Sequence, residues 1–276
     1  QVFLTLTFAL LLFCIPCSAY NGFEDIKADE ISNPIPEENL KSLIATCQLW
    51  GFLKYQHPYV AAGNLDWDKE LINRISAIME AKSESEWKKM LDEWISSLPA
   101  INENKTKILP GKRTSSKPNY GELFNPEYFD AATICKIKFI LDNAVVTTSK
   151  YMKVDANSGQ MTISNEPEYF DMLFPALPYR LLALFRYWNI INYFFPYRDM
   201  CDQKWSEVLP EMLPAFISCE NTDEYICTCL RLVTKIDDSH AQFNAQNFIF
   251  SLRLGMLRMP FEARFFENKL VITTFT

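Results

Sequence analysis

Apolar residues along the chain recur at helical rather than strand spacing. Leu40, Leu43, Ile44, Cys47 and Trp50 fall at i, i+3, i+4, i+7 and i+10, the spacing of one apolar helical stripe. Leu181, Leu184, Phe185, Trp188 and Ile191 form a second such stripe. Each stripe runs out before a proline, Pro58 or Pro196, whose ring clashes with the preceding turn and which has no amide hydrogen to donate. Second helices are predicted to begin near Trp67 and Trp205. Third helices should open with a capping box, Ser83 with Glu86 and Asn221 with Glu224. They carry their apolar faces at Trp87, Leu91, Trp94 and Leu98, and at Tyr225, Cys229, Leu232 and Ile236.

The two sets are related by a constant offset of 138. Trp50, Tyr55, Pro58 and Tyr59 match Trp188, Tyr193, Pro196 and Tyr197; Leu43, Trp67, Leu71 and Glu86 match Leu181, Trp205, Leu209 and Glu224. No gap is needed between Leu43 and Glu86, and tryptophan is rare, so the sequence predicts two copies of one three-helix unit, over 20–98 and 171–240. The tryptophans read as packing residues rather than a ligand platform.

The connector, 99–170, changes character. Residues 102–120 are polar and rich in Lys, Ser, Asn and Pro, which predicts a loop. Ile134–Leu141 and Val145–Thr148 flank Asp142-Asn143 and predict a hairpin, and 156–159 is a turn signal. Phe261–Phe265 and Leu270–Phe275, joined at Glu267-Asn268-Lys269, predict two strands of a further β-containing domain begun in 241–276. The expected fold class is α+β: two duplicated three-helix units separated by a loop and hairpin, followed by those first strands.

Residues 2–15 are apolar apart from two threonines, and no charge appears before Glu24. With Cys17-Ser18-Ala19 following, 1–19 reads as a secretory signal peptide, too short for a membrane span. A buried core helix is the plainer alternative. Lipid attachment at Cys14 or Cys17 is disfavoured by Phe13 and Pro16, which stand where small residues are expected. Residue 1 is Gln, and the chain stops inside the run Leu270–Thr273, so it reads as a segment of something longer.

Composition narrows the chemistry. The 276 residues carry 27 basic and 34 acidic side chains, a net charge of −7, with no basic patch of the kind a phosphate backbone requires; nucleic acid is not an expected partner. Seven glycines leave no phosphate-cradling loop, and Gly111-Lys112 lacks the earlier glycine of a Walker motif. Two histidines cannot build a His-rich metal centre, and neither metal nor cofactor is expected. The six cysteines after the leader are too few for a disulfide scaffold; Cys227-x-Cys229 has neither redox nor zinc spacing, and Cys47 and Cys229 fall on apolar helix faces. Asn104-Lys105-Thr106 is a glycosylation sequon, relevant only in a eukaryotic secretory route.

Candidate chemistry is sparse. His57 stands where the second copy has Phe195, a side chain that can neither ligate nor transfer protons, so it reads as structural. His240 differs: it ends Asp237-Asp238-Ser239-His240, where two carboxylates can orient an imidazole and raise its basicity. On the residues alone, a turn capped by Asp238 and Ser239 with His240 donating to a carbonyl is the simpler reading. Ser239 is not expected to face its own neighbour as a nucleophile, and no Gly-x-Ser-x-Gly elbow supports one. Asp66 and Asp68 read as first-turn charges at a positive helix end.

The run Arg180–Tyr197, followed by Trp205 and Asp238-Ser239-His240-Ala241, resembles the N-terminal region of secreted serine peptidases of the carboxyl-terminal processing (tail-specific, tricorn-like) family. Leu49-Trp50-Gly51-Phe52-Leu53-Lys54-Tyr55-Gln56-His57-Pro58 resembles the other helical stretch of that region, so the likeness covers about residues 40–245. It implies a helical front, then a PDZ-like domain begun by the strands after Phe261, then an α/β core with the nucleophilic serine and its activating lysine downstream. In another branch a histidine at the place of His240 is the base, with Asp238 as its orienting acid; His57 receives no role. The resemblance thus implies a secreted or periplasmic (cell-envelope) endopeptidase acting on polypeptides, with no membrane span once the leader is removed and no turnover by the segment alone. The alternatives are a non-catalytic peptide- or glycan-binding helical module and, more weakly, a scaffold packing protomers together.

Overall fold

The computed structural model describes residues 7–8, 36–104, 119–155, 161–169, 172, 174–238, 241–243, 261–266 and 269–275. It is α+β and mostly helical. The helices are α1 (Glu37–Gln56), α2 (Pro58–Ala61), α3 (Trp67–Met79), α4 (Glu84–Ser96), α5 (Ala131–Asn143), α6 (Leu177–Phe194), α7 (Trp205–Ser218) and α8 (Thr222–Thr234). The strands are β1 (Thr7–Phe8), β2 (Met152–Val154), β3 (Met161–Ile163), β4 (Gln242–Phe243), β5 (Phe261–Phe266) and β6 (Lys269–Phe275).

Two helices form the centre. Residues 42–55 of α1 are buried on every side, as are 180–182 and 184–193 of α6. A single stripe predicts only one buried face; here the opposite face is covered as well, because α1 and α6 pack on each other while α3 and α7 each touch both. α1 ends where expected: the His57 amide caps back to the Leu53 carbonyl at 3.1 Å, and Pro58 opens α2.

Element bounds and contacts coincide at the spacing of 138. α3 and α7 begin at Trp67 and Trp205, and α4 and α8 span 84–96 and 222–234. Trp50 Nε1 donates to the Trp67 carbonyl and Trp67 Nε1 to that of Trp50, both at 3.0 Å. Trp188 and Trp205 exchange the same two bonds at 3.0 and 2.9 Å. All four indoles are buried, where an unpartnered N–H is costly, so each pair latches a first helix to a second. The capping boxes form too. Ser83 Oγ accepts from the Glu86 amide at 3.3 Å and Asn221 Oδ1 from that of Glu224 at 3.0 Å. The returning carboxylates bond one residue further out than the N-cap, accepting from the Lys82 amide at 2.7 Å and the Glu220 amide at 2.8 Å.

At the central crossing, Asn189 Nδ2 donates to the Cys47 carbonyl at 3.0 Å and to the Phe185 carbonyl at 2.9 Å. These carbonyls are themselves 138 apart, as are Gly51 and Asn189. A β-carbon on Gly51 would lie 1.9 Å from Asn189 Oδ1, so the two helices meet this closely only because residue 51 has no side chain.

One expectation fails. Residues 134–148 form no hairpin; most of that stretch is α5. Asp130 Oδ1 accepts from the Thr133 amide at 2.7 Å, and Thr133, Ile137 and Ile140 bury one helical face beside α4. The β-branched residues suggested a strand, but their 3–4 spacing decides. An antiparallel hairpin instead joins β2 and β3 across the turn signal at 156–159, which lies outside the described residues. β5 and β6 pair antiparallel, from Phe261 opposite Phe275 to Phe266 opposite Lys269.

Most of the expected leader and most of the 102–120 loop lie outside the described residues, as do Lys105 and Thr106 of the sequon; within 1–19 only the backbone of Thr7–Phe8 is placed, parallel to Gln242–Phe243. Among the described residues no disulfide forms and no helix is long and apolar enough to cross a membrane.

Candidate functional site

Of the residues singled out for catalysis, Asp238 lies just beyond α8, half-buried, its carbonyl accepting from the Ala241 amide at 3.0 Å. Asp237 before it adopts a left-handed backbone (φ 52°), and its carboxylate accepts from the Asp202 amide at 2.9 Å. His240 and Ser239 lie outside the described residues, so no geometry links them to Asp238.

The structure assembles charge elsewhere. Lys54 of α1, Asp68 in the first turn of α3 and Arg186 of α6, all buried, form a charge quartet with the half-buried Glu166 of the connector. Lys54 Nζ lies 2.6 Å from Glu166 Oε1 and 3.6 Å from Asp68 Oδ1. Arg186 pairs with Asp68 through a terminal nitrogen and with Glu166 through Nε at 2.9 Å. The Lys54 and Glu166 contacts are ion pairs at close range without hydrogen-bond alignment. Arg186 also donates to the Pro167 carbonyl at 2.8 Å. Aromatic faces complete the cage: Trp50 and Tyr151 stand 4.6 and 4.5 Å from the Lys54 ammonium, and Tyr169 stands 5.5 Å from the guanidinium.

Burial pushes the Asp68 carboxyl up, but Lys54 and Arg186 outweigh it and hold it below the usual carboxylate range. Burial also lowers Arg186, and Glu166 with Asp68 more than restores it, so the guanidinium stays charged. Burial, reinforced by the Glu166 charge, pushes the Tyr55 phenol well up and keeps it neutral. Lys54 is wholly enclosed. Two cations and two anions that neutralise one another around the enclosed Lys54 ammonium make a clasp between α1, α3, α6 and the connector. Asp68 is therefore more than a first-turn charge; it is Asp66 whose side chain caps α3, accepting from the Lys69 amide at 3.2 Å.

Sequence reasoning passed over this clasp, although a signal was there. The matched positions of Lys54, Asp68 and Arg186 are Asn192, Ser206 and Gln48, all neutral. Charges that break a repeat inside apolar helices mark positions with partners of their own. Glu166, in an irregular connector, carried no such mark.

The described residues also form an open cleft of about 570 Å³ beside the exit of α1. His57, Tyr59 and Asn64 line it together with the 99–102 segment, Asn143 and Val145. His57 is 3% exposed and its counterpart Phe195 is 4% exposed, so the slot treats both as packing rings. Burial lowers the imidazole below its usual value despite a hydrogen bond to the Pro99 backbone, leaving it neutral at pH 7, and Nδ1 has no partner.

No protein family, curated protein or solved structure matches this chain.

Proposed function

We propose that the chain is the helical front module of an exported serine endopeptidase of the carboxyl-terminal processing kind, built by duplication of one three-helix unit. The observation that carries the reading is where the resembling stretches fall. Leu49–Pro58 and Arg180–Tyr197 are the body and exit of the two central helices. Their aromatic residues hold the scaffold, as expected of a front module whose chemistry lies elsewhere. The equal spacing of the indole latches, capping boxes and helix bounds supports the duplication. In this reading β5 and β6 begin a PDZ-like domain, the nucleophilic serine is supplied from outside these 276 residues, and His240, oriented by Asp238, is the base in the Ser-His branch.

The test is the product of the natural gene. It should hydrolyse an unfolded fluorogenic protein and be labelled at one serine by a fluorophosphonate, while the 276-residue chain alone should give background rates. His240→Ala in that product should lower kcat by about 10³-fold or more. Serine-reagent-sensitive turnover by the chain alone, or a natural product without hydrolase activity, contradicts the reading. The second reading, a non-catalytic binding module, is favoured by the cleft beside His57.

A further inference from the structure

We propose that Lys54 and Arg186 form a binding site for a small carboxylate, occupied in this structure by the chain's own Glu166, and that residues 164–169 are a strap which an external carboxylate displaces. The proposal does not depend on the peptidase reading, because it uses none of the residues assigned there.

Three observations carry it. The first is charge. Lys54, Arg186 and Asp68 together carry one net positive charge, and Glu166 cancels it. Those three stand on helices, whereas Glu166 arrives on an irregular connector. The helical framework does not need them: the matched positions Asn192, Gln48 and Ser206 are neutral, and Asn192 and Gln48 are buried as well. Charges kept inside a fold that packs neutral side chains at the same places mark a site for an anion rather than a packing need.

The second is fit. Glu166 oxygens lie 2.6 Å from Lys54 Nζ and 2.9 Å from Arg186 Nε, yet neither contact is aligned as a hydrogen bond. A carboxylate free of a main-chain tether can turn to accept from both donors, which is the stronger, charge-assisted geometry. The present occupant also sets the ligand class. A glutamate side chain ends as a propionate, and the rings of Trp50, Tyr151 and Tyr169 beside the cations offer wall to a short aliphatic stem.

The third is release. Asn165 and Tyr169, at φ 58° and 48°, bracket Glu166 with left-handed backbone, which a bulky residue such as tyrosine adopts only at a cost. Residues 165, 167 and 168 are exposed, and the Glu166 side chain is 18% exposed although its oxygens are enclosed, so its stem lies at the surface. Lifting the strap relieves the strain and opens both cations to a ligand from solvent.

The test begins with Glu166→Ala, which removes the resident carboxylate. Sodium propionate should raise the melting temperature of this variant saturably; propionamide, or sodium chloride at equal ionic strength, should not. Adding Lys54→Met removes the surplus positive charge and should abolish the response. The parent chain should bind propionate about tenfold or more weakly, because its tethered carboxylate competes at millimolar effective concentration. As it binds, the amides of Asn165, Glu166 and Glu168 should exchange with solvent faster while those of α1 and α6 stay unchanged. The proposal is overturned if propionate does not stabilise Glu166→Ala, if propionamide or chloride stabilises it equally, if the response survives Lys54→Met, or if saturating propionate leaves the strap amides of the parent chain unchanged. Should Glu166→Ala fail to fold even with propionate, strap exchange in the parent chain decides alone.

Discussion

Single residues set the energetics of the interior. Asp68 neutralises Lys54 and Arg186 at once, so Asp68→Ala leaves a buried cation short of its partner. Urea denaturation should show a loss of about 3–5 kcal/mol. Replacing Lys54 by Met together with Glu166 by Leu removes one charge of each sign and leaves the Asp68–Arg186 pair, so it should cost less; an equal or larger loss would mean that the charges do not act as a balanced set. The pH dependence follows from the lowered Asp68 carboxyl. Its contribution is complete above the unfolded value of 3.8 and disappears as pH falls through the lower folded value. Acid unfolding of the parent chain should therefore steepen below that pH, and Asp68→Asn should lack the added slope. These roles were only partly legible in the sequence. The residue types at 54, 68 and 186 were visible, but Glu166 reaches them through a connector with no periodic pattern, and only three dimensions bring it there.

At the scale of elements, the helices were readable because each carries several agreeing signals. Apolar spacing and a terminating proline coincide in α1 and α6, and capping boxes open α4 and α8. The stripe understated α1 and α6, since no local pattern reveals that a second helix will cover the outer face. The hairpin expected at 134–148 failed where β-branched composition was weighed above helical spacing. The α1–α6 crossing gives the sharpest test at this scale. Gly51→Ala must displace Asn189, so thermal and urea unfolding should show a loss of about 1–3 kcal/mol, the usual range for overpacking. In an Asn189→Ala background the same change should cost less, because the colliding amide is gone. Equal costs in both backgrounds would mean that the helices do not meet at this point.

At the scale of the whole molecule, the two helical sets are joined into one body through α1, α6 and the charge clasp. In sequence, Asp238 and His240 correspond to Ala100 and Asn102, which line the cleft. The cleft was not legible in advance, because its walls come from the α1 exit, the end of α4 and the end of α5, which only the fold brings together. The most direct test of the single body is native-state hydrogen exchange on residues 42–55 and 180–193. Amides of both helices should exchange only through global unfolding, with one common free energy, and Asp68→Ala should lower that value equally in both. If α6 opens at markedly lower free energy than α1, or if Asp68→Ala weakens α1 alone, the two sets are separate bodies and the account is contradicted.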